Sequence, residues 1–238
     1  MDAQFDATGE VALVTGACGA LGSATVAEFA AAGATVAACD VVDADGDDSL
    51  LDPDAHDAVS FYRADFTDET AVSETVDAVV SEHGGLDYLI NVAGTWRGGD
   101  PVDETDADQF DLLFGVNLRT AFLATKHALA HLRESDAGGA VVSVSARSGL
   151  EGGEGDALYR ATKAGVRILT ESVAAENRGR VRANCVMPSV LDTPANREMM
   201  DPSDDWVDPA EVARVMQFLC SDAAAPTSGA AVPVYGEA

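Results

Sequence analysis

Short runs of aliphatic and β-branched residues recur along the chain at 11–14, 35–39, 59–64, 88–92, 140–144, 181–186 and 231–234. Most are apolar at successive positions, the pattern of strands covered on both faces. Between them lie helical patterns over 20–32, 68–83, 107–133, 158–177 and 209–221. Alternation of this kind predicts an α/β fold, a doubly wound parallel sheet of about seven strands between two layers of helices. Two stretches fit neither period: 42–58, rich in Asp and Gly, and 196–207, rich in Asp, Met and Pro. Both are expected to be mobile loops. The second follows a strand end, where open α/β sheets bind ligands, so it reads equally as a substrate lid and as a solvated connection.

No internal repeat or linker interrupts the pattern. A length of 238 residues, 47% of them hydrophobic, suits one domain, 1–238, with one sizeable core. No apolar run approaches the roughly 20 residues that span a bilayer, and the first residues, Met1 to Asp6, are acidic where a secretory leader would be basic. A cytoplasmic protein is expected. Cys18, Cys39, Cys185 and Cys220 are widely separated, with no C-x-x-C pair and no histidine cluster, so they read as buried thiols and no metal site is expected.

The formal charge of −27 excludes nucleic acid and anionic membranes as natural partners. Steering of a cationic partner would need the acids gathered on one face, but they are spread along the whole chain. Adaptation to a salt-rich cytoplasm explains them better, because screening over about 3 Å at 1 M salt removes the self-repulsion.

The first strand runs directly into Thr15, Gly16, Ala17, Cys18, Gly19, Ala20, Leu21 and Gly22, followed by an Ala-rich helix. Glycines there permit a tight turn and close approach to a pyrophosphate, and the helix N-terminus offers unpaired N–H groups. The second strand ends in Asp40, near the offset of about 20 residues at which an acid accepts hydrogen bonds from the adenosine ribose. A carboxylate there repels the extra phosphate of NADP, and no arginine lies nearby in the sequence, so NAD(H) is the expected cofactor.

Tyr159 and Lys163, four residues apart, project from one face of a helix. A neighbouring ammonium favours phenolate and is expected to lower the tyrosine pKa from about 10, toward what a general acid/base needs. Lys163 is one of only two lysines, the other being Lys126.

The ordered set Thr15-Gly16 to Gly22, Asp65, Asn91-Val92-Ala93-Gly94, Asn117, Tyr159 to Lys163, Pro188 and Thr193-Pro194 resembles the short-chain dehydrogenases/reductases over nearly the full chain. The resemblance implies a Rossmann fold and hydride exchange between a nicotinamide cofactor and a small-molecule substrate. It implies that Gly16, Cys18, Ala20, Leu21, Gly22, Asp40 and Pro188 line the cofactor, that Asp65 contacts adenine, and that Asn91, Ala93 and Gly94 border its ribose. It further implies that Tyr159 donates the proton, Lys163 binds the nicotinamide ribose, Thr193 orients the carboxamide, and Asn117 holds a relay water. A homodimer or homotetramer through the helices 107–133 and 158–177 is also implied.

The chain departs from the family pattern in three places. Ala20 stands at a usual glycine, and Ser189 follows Pro188 where glycine is usual. Ala146 stands thirteen residues before Tyr159, where the family places a serine that hydrogen-bonds the reacting oxygen. Ser145 and Ser148 are neighbours of that position, and Ser145 and Ala146 are expected to border the substrate. Loss of such a donor costs about 10² to 10³ in rate. The dihydropteridine reductase branch also lacks it, and the segments Gly19 to Gly22, Asp40-Val41-Val42, Val92 to Gly99 and Leu191 to Arg197 resemble that branch. Trp96 would then stack on a planar pterin. Asn117 belongs to the general pattern and not to that branch. The expected activity is therefore reduction of a pterin-like acceptor by NADH, with a general ketone, 3-oxoacyl or alcohol oxidoreductase as the alternative and a non-catalytic NAD(H)-binding sensor as a reading of another class.

Overall fold

The computed structural model describes residues 5–236; residues 1–4, most of the acidic amino-terminal stretch, and 237–238 lie outside the described residues. Among the described residues seven strands, β1 (Val11–Thr15), β2 (Thr35–Asp40), β3 (Val59–Arg63), β4 (Tyr88–Asn91), β5 (Ala140–Val144), β6 (Arg182–Pro188) and β7 (Ala231–Val234), pair in parallel in the order β3-β2-β1-β4-β5-β6-β7. The helices are α1 (Ala20–Ala31), α2 (Glu69–His83), α3 (Ala107–Leu113), α4 (Thr120–Leu132), α5 (Ala157–Glu176), α6 (Pro194–Met199) and α7 (Pro209–Cys220).

Strand alternation divides the core between the two faces of the sheet. Val14 and Ile90 pack with Val26 and Phe29 of α1 and Met216 and Leu219 of α7, while their neighbours Leu13 and Leu89 pack with Val72 and Val76 of α2 and Leu123 and Leu132 of α4. Consecutive strand residues are thus both buried, which is why most of the strands are apolar at successive positions and do not alternate with polar ones. The chain reverses its direction of travel across the sheet at β1, which pairs with both β2 and β4. At this switch point the crevice beyond the carboxyl ends opens, and the loops after β1 and β4 face each other across it. This is the Rossmann architecture. Cys18, Cys39, Cys185 and Cys220 are buried and free, as their separation in the sequence suggested. Among the described residues no helix is long and apolar enough to cross a membrane.

The structure corrects three local expectations. The stretch 107–133 is not one regular helix, because a π-helical segment, Phe114–Arg119, joins α3 to α4. The wider turn accommodates an additional residue, and Thr120 Oγ1, at the start of α4, donates back to the Val116 carbonyl of this segment at 2.6 Å. The stretch 196–207 is partly helical: α6 begins at Pro194, capped by Thr193, and the chain then returns so that Val207 bridges Leu191. The stretch 42–58 is anchored to the first loop, since the Leu50 amide donates to the Cys18 carbonyl at 2.8 Å and Leu51 is buried.

Candidate active site

The loop after β1 is shaped by two glycines with no room for a side chain. Gly16 has φ +69°, and a Cβ there would lie 2.7 Å from the Ala93 Cα; a Cβ on Gly22 would lie 1.9 Å from the Gly16 carbonyl oxygen. Backbone therefore meets backbone where the loops after β1 and β4 touch. Helix α1 opens at Gly19 with no side-chain cap and no acid in its first turn. Its N–H groups and dipole are left for an anion, which fits a dinucleotide pyrophosphate.

Asp40 closes one end of this loop. Its Oδ2 accepts from the Cys18 amide at 2.9 Å and its Oδ1 from the Val42 amide at 3.1 Å. A carboxylate has about four acceptor sites, so capacity for ribose hydroxyls remains. The sequence reading that no arginine lies nearby is corrected by the strand register, which sets Arg63 opposite Asp40. The Arg63 guanidinium is engaged by Asp43 at 3.0 Å and by the Val41 carbonyl at 3.2 Å. Farther along the crevice, Asp65 is exposed and its Oδ1 accepts from both the amide and the hydroxyl of Thr67, at 2.8 and 2.7 Å.

At the end of β4 the Asn91 side chain points into the protein, donating to Thr125 and Ser143, each at 3.2 Å. What Asn91 can offer a cofactor is thus its backbone. Thr15, which the sequence did not single out as a site residue, holds the following turn: its hydroxyl oxygen accepts from the amides of Val92 and Ala93, each at 3.2 Å. Asn117 enters from the π-helical segment. Its Oδ1 accepts from the Thr95 amide at 2.7 Å, and its Nδ2 donates to the Thr95 carbonyl at 3.0 Å and to the Thr162 hydroxyl at 3.1 Å. Thr162, another residue missed in the sequence, donates in turn to the Tyr159 carbonyl at 2.7 Å. The periodicity of 107–133 held no sign of the π turn that aims Asn117 inward.

Lys163 is buried, and its Nζ donates to the carbonyl of Val144, the last residue of β5, at 3.0 Å. The same ammonium lies 5.8 Å from the Tyr159 ring centre. A Cβ on Gly94 would come within 3.1 Å of Nζ and 3.3 Å of Asn117 Oδ1, so Lys163, Asn117 and the loop after β4 converge on one point. The expected lowering of the tyrosine pKa is corrected: burial, then the charge of Asp156, pushes Tyr159 up to about 12. Desolvation is thus the leading influence on the phenol in this state of the protein.

Burial brings Lys163 down to about 8 from 10.5. Between those values the unfolded chain holds a proton that the folded chain has released, so this group's contribution to stability rises with pH. In urea titrations, the unfolding free energy of wild type minus that of Lys163→Met should therefore increase from about pH 8 to about pH 10. A flat or falling difference would show that Lys163 keeps its ordinary pKa in the fold.

Ala146 follows β5 with extended backbone, φ −160° and ψ 156°. Ser145 does not replace the missing hydroxyl at Ala146, which corrects its expected place at the substrate. Successive residues of an extended chain point to opposite sides, and the Ser145 hydroxyl is buried against α5, donating to the Lys163 carbonyl at 2.8 Å. Pro188 ends β6 and is buried, and the Ser189 hydroxyl donates to the Tyr235 carbonyl at 3.0 Å. Thr193 Oγ1 caps α6 by accepting from the Asn196 amide at 3.2 Å, which leaves its own proton to donate. Trp96 is 49% exposed on the loop after β4, with its ring edge against Gly98 beside Asp156.

The crevice thus joins an open helix N-terminus, a strand-end carboxylate and a buried lysine beside a tyrosine. The sequence profile of the family described as short chain dehydrogenase matches residues 10–204. The chain is similar to cis-4-hydroxycyclohexanecarboxylate dehydrogenase of Sinomonas cyclohexanicum, 35% identical with 95% of both chains covered. It is similar also to the 3-oxoacyl-[acyl-carrier-protein] reductase FabG of Thermotoga maritima, 32% identical with 96% of this chain and 97% of that one covered. Among solved structures, ElxO with NADP bound superposes with a TM-score of 0.87 at 26% identity, covering 95% of this chain and 97% of the other. The chain belongs to the short-chain dehydrogenase/reductase family of NAD(P)-dependent oxidoreductases.

Proposed function

We propose that this chain, as one domain over 1–238, interconverts a secondary alcohol and its ketone by hydride exchange with NAD(H). The observation that carries the reading is the Tyr159 and Lys163 pair set at the end of β5, facing the loop after β4. Kinship with a hydroxycyclohexanecarboxylate dehydrogenase and an oxoacyl reductase favours this substrate class over a pterin. When bound, the nicotinamide supplies or accepts the hydride. Gly16, Cys18, Ala20, Leu21 and Gly22 would hold the pyrophosphate, with Asp65, Asn91, Ala93, Gly94, Pro188 and Thr193 along the rest of the cofactor. Asp40 would accept the adenosine ribose hydroxyls and repel a 2′-phosphate, and Asp43 keeps Arg63 from attracting one, so NAD(H) is favoured.

Tyr159 would donate its phenolic proton to the carbonyl oxygen in reduction and take it back in oxidation, while Lys163 binds the nicotinamide ribose. A cation held beside Tyr159 lowers the cost of phenolate, the form the phenol takes after donating. Asn117 fixes Thr95 and, through Thr162, the backbone of Tyr159, and would position the water that returns the proton.

Reduction of a planar, electron-poor pterin is the second reading, supported by two features together: the half-exposed Trp96, and the absence of a hydroxyl at Ala146, which a ketone would use and a conjugated imine would not. Initial rates of NADH oxidation with a panel of cyclic and open-chain ketones should exceed the rate with quinonoid dihydropterin. A reversed order would replace the first reading by the second, and no turnover with either class would leave an NAD(H)-binding sensor.

Exposed Phe110, Phe122 and Ile168 on α3, α4 and α5 support a homodimer or homotetramer formed through those helices. Light scattering in molar salt should give a mass of two or four chains; a lone chain would refute the assembly. The scattered acids support a salt-rich cytoplasm, so the protein should unfold on transfer to dilute buffer, and full stability there would refute that setting.

A further inference from the structure

Arg160 follows Tyr159 directly, yet nothing in the reaction described above uses it. Its Nε lies 2.5 Å from Asp156 Oδ1, one helical turn back, and its Nη1 donates to the carbonyls of Ser148 at 3.4 Å and Glu151 at 3.3 Å. The pair is largely shielded, with 24% and 16% of the two side chains exposed. The guanidinium also fills the space above Gly153, where a Cβ would lie 2.3 Å from the Arg160 Cζ. One side chain therefore gathers the whole glycine-rich stretch 148–156 and fastens it to the first turn of α5.

That stretch also meets the loop carrying Trp96. The Gly99 amide donates to the Gly155 carbonyl at 2.7 Å. Gly98 is wedged between Gly155 and Trp96, since a Cβ there would lie 2.7 Å from the Gly155 carbonyl oxygen, 3.0 Å from the Trp96 Cζ2 and 3.2 Å from the Asp156 Cβ. The loops after β4 and β5, both at the carboxyl edge of the sheet, are thus joined to each other, and Arg160 fastens the second of them to α5.

We propose that Arg160 is a positioning residue that sets the substrate-facing wall of the site by clamping 148–156 and, through the Gly155 to Gly99 bond, the Trp96 loop. The proposal rests on the oxidoreductase reading for its kinetic consequence but not for its spectroscopic one. A planar guanidinium with five donors can serve a carboxylate and two carbonyls together, whereas a lysine ammonium in the same place keeps the ion pair and loses the reach.

The test uses the full chain carrying Trp206→Phe, so that Trp96 is the one remaining tryptophan. Arg160→Ala should make Trp96 more accessible to acrylamide and shift its emission to the red, and should raise the KM for the ketone about tenfold while the NADH Kd changes by less than about twofold. Arg160→Lys should recover part of both effects. Gly153→Ala leaves the arginine in the sequence but displaces its guanidinium, and should reproduce the Arg160→Ala phenotype; it serves if Arg160→Ala does not fold. Folded variants with unchanged Trp96 quenching and unchanged KM would overturn the proposal, as would an equal loss of NADH affinity. If the parent protein turns over no substrate, the function reading has failed, and the Trp96 accessibility of the same variants still decides the clamp.

Discussion

Replacing Tyr159 by Phe should lower turnover by about 10² to 10⁴, the range that a positioned general acid contributes, while leaving NADH affinity within about twofold of the parent. The proposed donor is the phenol whose ring centre lies 5.8 Å from the buried ammonium of Lys163, and the substitution removes the hydroxyl while keeping the ring. Steady-state rates together with calorimetric NADH titration separate the two quantities. Turnover that survives the substitution would remove Tyr159 from the chemistry.

The second large effect runs in the opposite direction. Ala146→Ser should speed ketone reduction by about 10², because it adds a hydrogen-bond donor where negative charge develops on the substrate oxygen. The backbone there is extended and accepts any residue, and the change adds one small atom at a position 8% exposed. Ser145 gives no such help in the parent, since its hydroxyl is committed to the Lys163 carbonyl. Reduction of a quinonoid dihydropterin should be nearly unaffected by the same substitution. Unchanged rates with both substrate classes would place the reacting oxygen away from Ala146.

The sheet was legible because both of its faces are covered: the runs that become β1, β2 and β5 are apolar at most successive positions, and helices fill the intervals. The glycines at 16 and 22 were legible because their places admit no Cβ, which leaves a trace in the sequence itself. Other features left no such trace. The π turn at Phe114–Arg119 changes hydrogen bonding without changing composition, so 107–133 read as one helix. Arg63 approaches Asp40 only through strand register, twenty-three residues away along the chain. Ser145 and Ala146 are adjacent in sequence and opposite in direction, a distinction that depends on where the extended segment after β5 begins. The tyrosine pKa went the other way from its expectation because spacing reveals a neighbouring charge but not the depth of burial. Thr15, Thr162 and Arg160 act by holding other groups in place, and a single sequence carries no sign of that role.

The most direct test of the account is a single turnover with NADH deuterated at the transferring position of the nicotinamide, in molar salt, with a cyclic ketone as acceptor. Deuterium should appear on the carbinol carbon of the alcohol formed, and the step should slow relative to unlabelled NADH. Binding of NADH with no label in any product, or no binding at all, would contradict the claim that this crevice transfers hydride.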